Sequence, residues 1–187
     1  MAPPQISDTP TMRPPHLEFV YRVEADMARD PITVGAPFGA GSVRVIMNIL
    51  GGTLRGPGLS GEILEHGGAD WGISIKGTNF MRLDARYTIR MSTGEHIFLS
   101  ASGIYTPPRP DGPGEQPPFD LDNPDMGQND LEWFTSIKIE AGEGRYNWLN
   151  SCVLVGALKM VDRRIIIEAW RLTNFPGRDP ISIKAVM

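Results

Sequence analysis

Apolar side chains in this sequence recur at every second position over long stretches, and no long stretch shows the three-to-four-residue spacing of an amphipathic helix. In an extended strand successive side chains point to opposite faces, so this alternation places one face in a core and the other in water. Leu17, Phe19, Tyr21, Val23 and Ala25 share one face of a strand, with Glu18, Arg22 and Glu24 on the other. The pattern returns in Leu83, Ala85, Tyr87 and Ile89 against Asp84, Arg86, Thr88 and Arg90. Further β-rich runs cover 43–50, 73–76, 97–104, 133–140, 152–160 and 164–172, with breakers such as Gly51-Gly52, Gly67-Gly68 and Thr93-Gly94 between them. Eight or more short strands in sequence predict an all-β chain, a meander that closes into an antiparallel barrel or folds into a two-sheet sandwich.

Proline marks where this pattern stops. Five of the 17 prolines lie in 1–15 and seven lie between Pro107 and Pro124. Both stretches lack apolar periodicity, which predicts a disordered tail over 1–15 and a long Pro- and Gly-rich loop over 106–130, with one barrel domain spanning 16–187. A chain of 187 residues is long enough to bury a core without disulfides or metals. Its single cysteine, Cys152, sits in an apolar run and reads as a small buried hydrophobe.

Charge excludes several functions. With 18 basic and 22 acidic residues the net charge is −4, and no basic run offers a surface for phosphates, so nucleic acid is not an expected partner. The polar, proline-rich start has no positively charged segment followed by an apolar one, and no run is apolar for long enough to cross a bilayer. A cytoplasmic protein with no membrane partner is the expectation. His16, His66 and His96 form no ligand-spaced pair, and no nucleophile elbow or phosphate loop is present, so neither metal nor cofactor is expected.

Four segments carry a resemblance. Gly51-Gly52-Thr53-Leu54 with Gly56-Pro57, Leu59-Ser60-Gly61-Glu62-Ile63-Leu64, Gly67-Gly68-Ala69-Asp70-Trp71 and Leu83-Asp84-Ala85-Arg86-Tyr87, in that order, resemble the DUF3237 (UPF0311) family. Trp133-Phe134-Thr135 and Arg145-Tyr146-Asn147-Trp148-Leu149-Asn150 are similar to that family's C-terminal half, and the resemblance spans about 17–172. It implies a calycin-like barrel of the lipocalin or streptavidin kind with a central cavity. It specifies architecture much better than chemistry.

Within that architecture the strongest polar constellation is Glu62, Asp70, Asp84 and Arg86, near Trp71. Asp84 and Arg86 share a strand face, which meets either water or the cavity; the resemblance favours the cavity. There Arg86 would bind a carboxylate or enolate oxygen, and a desolvated Glu62 or Asp70 would exchange protons near neutrality. Trp71, Trp133, Tyr146 and Trp148 are expected at strand ends or turns, as a ligand-binding rim or as plugs, and Asn150 as a ligand contact or a turn cap.

The resulting expectation is a barrel that binds a small organic ligand and acts as a cofactor-independent isomerase or cyclase on an aromatic or polyketide-like metabolite. A non-catalytic carrier and a filled barrel with a structural role stay open beside it. Outward apolar strand faces make a homodimer the expected assembly, if one forms.

Overall fold

The computed structural model describes residues 9–36, 39, 41–75, 80–106, 125–162 and 164–181. Nine strands follow one another: β1 (His16–Met27), β2 (Ile32–Gly35), β3 (Ser42–Gly56), β4 (Leu59–Ile75), β5 (Met81–Met91), β6 (His96–Thr106), β7 (Glu132–Ala141), β8 (Leu154–Val161) and β9 (Arg164–Thr173). A five-residue 3₁₀ turn, Asn147–Ser151, is the sole helical element among the described residues.

Every consecutive pair from β3 to β9 is antiparallel, and β1 pairs with both β9 and β3. The sheet therefore closes into an eight-stranded barrel of β1 and β3–β9, which removes nearly all free strand edges. β2 lies outside the ring. It continues the line of β1 along the same edge of β3, pairing Ile32–Gly35 with 46–43.

Bulges rather than turns set which face of each strand looks inward. In β1, Phe19 pairs with Trp170 but Tyr21 pairs with Ala169, so Val20 is one residue extra. The five apolar residues expected on one face are thereby split. Tyr21, Val23 and Ala25 face the core, while Leu17 and Phe19 turn outward, where they are 55% and 39% exposed. Glu18, which should have faced water, swings towards the barrel mouth and meets Arg171 at 2.5 Å. That ion pair is largely sheltered, with Arg171 only 13% exposed.

The lumen has two unlike halves. Towards the end that carries the 3₁₀ turn, Leu54, Leu59, Ile89, Leu99, Leu149 and Leu154 are buried almost completely and plug the barrel. Tyr146 closes this capped end, its hydroxyl 2.9 Å from that of Thr93. Towards the far end the inward positions are small or flexible. Ala85 pairs with Ala101, Gly103 with Thr135, and Thr135 with Gly156, so a row of small side chains runs across the middle of these strands, with Ile137 and Ile167 packed against Gly156. Five of the nine methionines, Met27, Met47, Met81, Met126 and Met160, surround this half. Met126 reaches it from the segment before β7, bridging to Met160.

Of the proline-rich stretch expected to be a loop, 107–124 lies outside the described residues, as does 1–8 of the tail. The described remainder of the loop is anchored: Met126 is buried, as is Leu131 just beyond the loop, and Gly127 donates its N–H to Asp130 at 2.7 Å. Among the described residues no helix is long and apolar enough to cross a membrane.

Candidate functional site

Asp70 owes its position to a second bulge. Glu62 pairs with Arg90 and Ile63 with Ile89, but the next pair is Gly68 with Tyr87, so four residues of β4 oppose one of β5. The odd-numbered offset reverses the faces. Glu62 and Asp70, an even number of residues apart, end on opposite sides of the sheet: Glu62 outside, Asp70 inside opposite Ala85. The bulge is tight, with His66 at φ 57°, and Gly68 is needed at its exit because a Cβ there would sit 1.9 Å from the Arg86 carbonyl oxygen.

Inside the barrel, Asp70 lies where the β4–β5 register lapses between its own pairing and that of Ile73 with Arg82. Its carboxylate fills the gap, Oδ1 accepting the N–H of Asp84 at 3.0 Å. Burial raises the Asp70 pKa from 3.8 to about 6; the Asp84 N–H opposes that shift and the Asp84 carboxylate adds to it. A carboxyl group in this range exchanges protons readily near neutrality.

Two tyrosines continue the polar interior. Burial, and then the nearby Asp70 charge, push the Tyr87 hydroxyl above the usual phenol range. Burial does the same to Tyr21, with smaller contributions from Tyr87 and Cys152. Both phenols are therefore neutral hydrogen-bond donors at every physiological pH. Among the described residues the Tyr21 hydroxyl has no hydrogen-bond partner although the residue is completely buried. The same holds for the Thr135 hydroxyl and the Trp133 indole N–H, on residues almost as deep. Buried polar atoms without partners carry a free-energy cost of roughly 1–3 kcal/mol each, which a water or a ligand would relieve. Tyr105 packs edge-on against Trp133, ring centroids 5.4 Å apart, and donates to the Met126 sulfur at 3.5 Å.

The remaining expected site residues are not gathered here. Asp84 and Arg86 form an ion pair of 3.1 Å on the outer wall, and Glu62 pairs with Arg90 at 3.3 Å, also outside. The apolar Leu83–Tyr87 face takes the core, and with it goes the choice of face for Asp84 and Arg86. Trp71 also faces outward, opposite Ile46, within β4 rather than at its end. Trp133 lines the far half, while Tyr146 and Trp148 lie at the capped end, so the four aromatics make no single rim. Tyr146 and Trp148 instead border a surface cleft of about 620 Å³ with Phe19, Arg145 and Arg171. Asn150 is a turn lock: its amide accepts the Ala141 N–H at 2.9 Å and donates to the carbonyls of Ala141 at 2.8 Å and Asn147 at 3.0 Å. Cys152 is half-buried and its thiol pKa is raised by that burial.

Sequence reasoning passed over Tyr21, Tyr87 and Thr135 as core residues. The signal available was polarity at an inward position of the alternating pattern. No group of three metal-ligating side chains occurs among the described residues.

Comparison with known proteins places this barrel. A family model described as "Protein of unknown function (DUF3237)" matches residues 15–172. The chain belongs to the DUF3237 family. A UPF0311 protein of Rhodopseudomonas palustris is 28% identical over 164 residues, covering 88% of this chain and 99% of the relative. A β-barrel-like protein of Acinetobacter baumannii has the same fold, with a TM-score of 0.69, 24% identity and coverage of 89% of this chain and 100% of the other. A structure described as an enzyme from Penicillium herquei is more distant, with a TM-score of 0.57, 19% identity and coverage of 89% and 99%. The DUF3237 match ends at 172, so the segment that covers the capped-end cleft, including Asp179 and Pro180, lies beyond it.

Proposed function

We propose that the far half of the lumen binds a small organic molecule and that the protein catalyses a cofactor-independent proton transfer on it, an isomerisation or cyclisation, with Asp70 as acid and base. The observation that carries this reading is the Asp70 carboxyl: half-buried on the inward face of β4, fixed by the Asp84 N–H and raised by desolvation to about 6. As carboxylate it takes a proton from a carbon next to a carbonyl group, whose oxygen gains the negative charge. As carboxylic acid it returns that proton to a different carbon, which shifts a double bond, or to oxygen once a ring has closed. No electrons leave the substrate, so no redox partner enters the balance.

In this reading Arg86, expected to steady the developing oxyanion, does not take that part. Arg86 stands on the outer wall, and the neutral Tyr21 and Tyr87 hydroxyls are the better donors for that oxygen. Methionine thioethers and the Tyr105–Trp133 pair offer a soft wall suited to a flat conjugated ring, which supports an aromatic or polyketide-like substrate. The Penicillium herquei neighbour, described as an enzyme, supports catalysis only as something a barrel of this kind can host.

The test is deuterium exchange at the α-carbons of 2-tetralone, an aryl-fused enolisable ketone, followed by proton NMR in D₂O. The protein should accelerate exchange over buffer, with a rate that rises with pH to a plateau above about 6. Asp70→Asn should reduce the accelerated rate about 100-fold, the usual scale of one acid–base group. Exchange unchanged in Asp70→Asn would remove Asp70 from the chemistry, and saturable binding without exchange would leave a carrier.

A further inference from the structure

The outer wall over β7, β8, β9 and β1 carries a feature that the lumen chemistry does not use. Phe134 is 44% exposed there, and Leu17 and the edge-to-face pair Phe19–Trp170 lie beside it. Phe134, Leu17 and Trp170, with Val155, Ala157 and Ile166, border an open groove of about 370 Å³, and Phe19 packs on Trp170 from outside it. β7 and β8 pair over only four residues, 134–137 with 157–154, and the groove follows the place where that ladder stops. Contiguous exposed apolar surface of this kind marks an interaction site more often than chance.

Two charges sit in the groove, Lys159 on β8 and Glu168 on β9. They are diagonal neighbours, since Lys159 pairs with Ile166 and Ala157 with Glu168. Neither forms an ion pair among the described residues, and Arg22, which lies opposite Glu168 on β1, is held by Glu24 at 3.3 Å. One unpaired cation and one unpaired anion on a single apolar field form a self-complementary set. A two-fold axis lying in the contact plane, perpendicular to the Lys159–Glu168 line, places each charge against the opposite charge of a second copy.

We propose that this wall is the interface of a homodimer, in which Lys159 of each copy pairs with Glu168 of the other around the apolar groove. The occupant is a second copy of this chain because the charges match under a two-fold operation and because Phe134 and Leu17 would otherwise face water. A rim charge pair of this type sets register and partner choice more than bulk affinity, and like charges brought together there oppose association strongly.

Charge exchange tests the pairing, with association read by sedimentation equilibrium and folding checked by circular dichroism. The wild-type chain should associate to a dimer. Lys159→Glu and Glu168→Lys, each alone, place like charges across the interface and should raise the dimer dissociation constant about 100-fold. The double variant, with both changes, restores opposite charges and should recover the dimer to within about tenfold of wild type. A wild-type chain that stays monomeric at all concentrations overturns the proposal. So does a dimer that ignores both single reversals, or a double variant no better than the singles.

Discussion

At the scale of single residues, Asp70 ties the proposed function to stability. Its pKa is about 6 in the folded barrel and near 3.8 in an unfolded chain, so between those values the folded state holds the proton more tightly. Folding is therefore favoured by this group at low pH, and that contribution is lost as pH rises through about 6. At pH 7 holding the carboxylate charged in its buried place costs about 3 kcal/mol, because each tenfold gain in proton affinity on folding corresponds to about 1.4 kcal/mol. Asp70→Asn keeps the shape, and its amide oxygen can still accept the Asp84 N–H. We expect the variant to be more stable than wild type above pH 6 and the difference to vanish towards pH 4, measured by urea unfolding of both proteins across that range. An advantage independent of pH would mean that Asp70 is not burdened by its charge. Asp70 stood among the candidate residues from its sequence alone, but so did Glu62, Asp84 and Arg86, with equal standing. What separates them is the face each occupies, and that depends on a bulge that composition and spacing do not announce.

Strands make the same point one level up. The alternation in β5 was legible because nothing interrupts it: Leu83, Tyr87 and Ile89 are inside, and Arg86 and Arg90 outside. In β1 and β4 the alternation is also present, yet a bulge at Val20 and another between Ile63 and Gly68 reverse it part-way. These reversals turn Phe19 outward to Trp170 and Asp70 inward to Tyr87, so the outer apolar wall and the inward placement of Asp70 each depend on one bulge. The glycine pair at the second bulge signalled an irregularity without giving its size. Gly68→Ala is the direct probe, since the added Cβ would lie 1.9 Å from the Arg86 carbonyl oxygen and 2.6 Å from the Tyr87 Cα. Both contacts are with main chain, so β4 and β5 must part rather than a side chain give way. A loss of roughly 3 kcal/mol follows from overpacking of this severity. The measurement is the unfolding free energy, and Tyr87 should move with its strand. A loss below about 1 kcal/mol would show that the bulge can slide to make room.

For the molecule as a whole, closure is the organising event, and it joins residues far apart in sequence. β1 is clasped by β3 on one side and by β9 on the other, with Arg164 pairing Asp26 at 2.7 Å near one end of the β1–β9 seam and Arg171 pairing Glu18 near the other. An all-β meander was readable from the periods of its strands. That it closes through β1, rather than splitting into two sheets, follows from pairings between the first strand and the last, which local pattern does not encode; the family resemblance supplied that part. The same logic explains why β2 went unnoticed: four residues, every one exposed, with no buried face to impose a period. Closure and overhang should differ in dynamics. Tyr21, Val23 and Ala25 lie in a strand bonded on both edges with a fully buried face, so their amides should exchange with solvent only when the whole barrel unfolds. The β2 amides are held by β3 alone and shielded by no side-chain packing, so they should exchange by local opening, orders of magnitude faster. Hydrogen exchange read by mass spectrometry separates the two segments, because each falls in its own peptide. Because β2 stands apart from the groove of β7, β8 and β9, its protection should not change if the proposed dimer forms. Protection of β2 equal to that of β1 would mean that a second strand covers its free edge, and the overhang would then be part of a larger sheet.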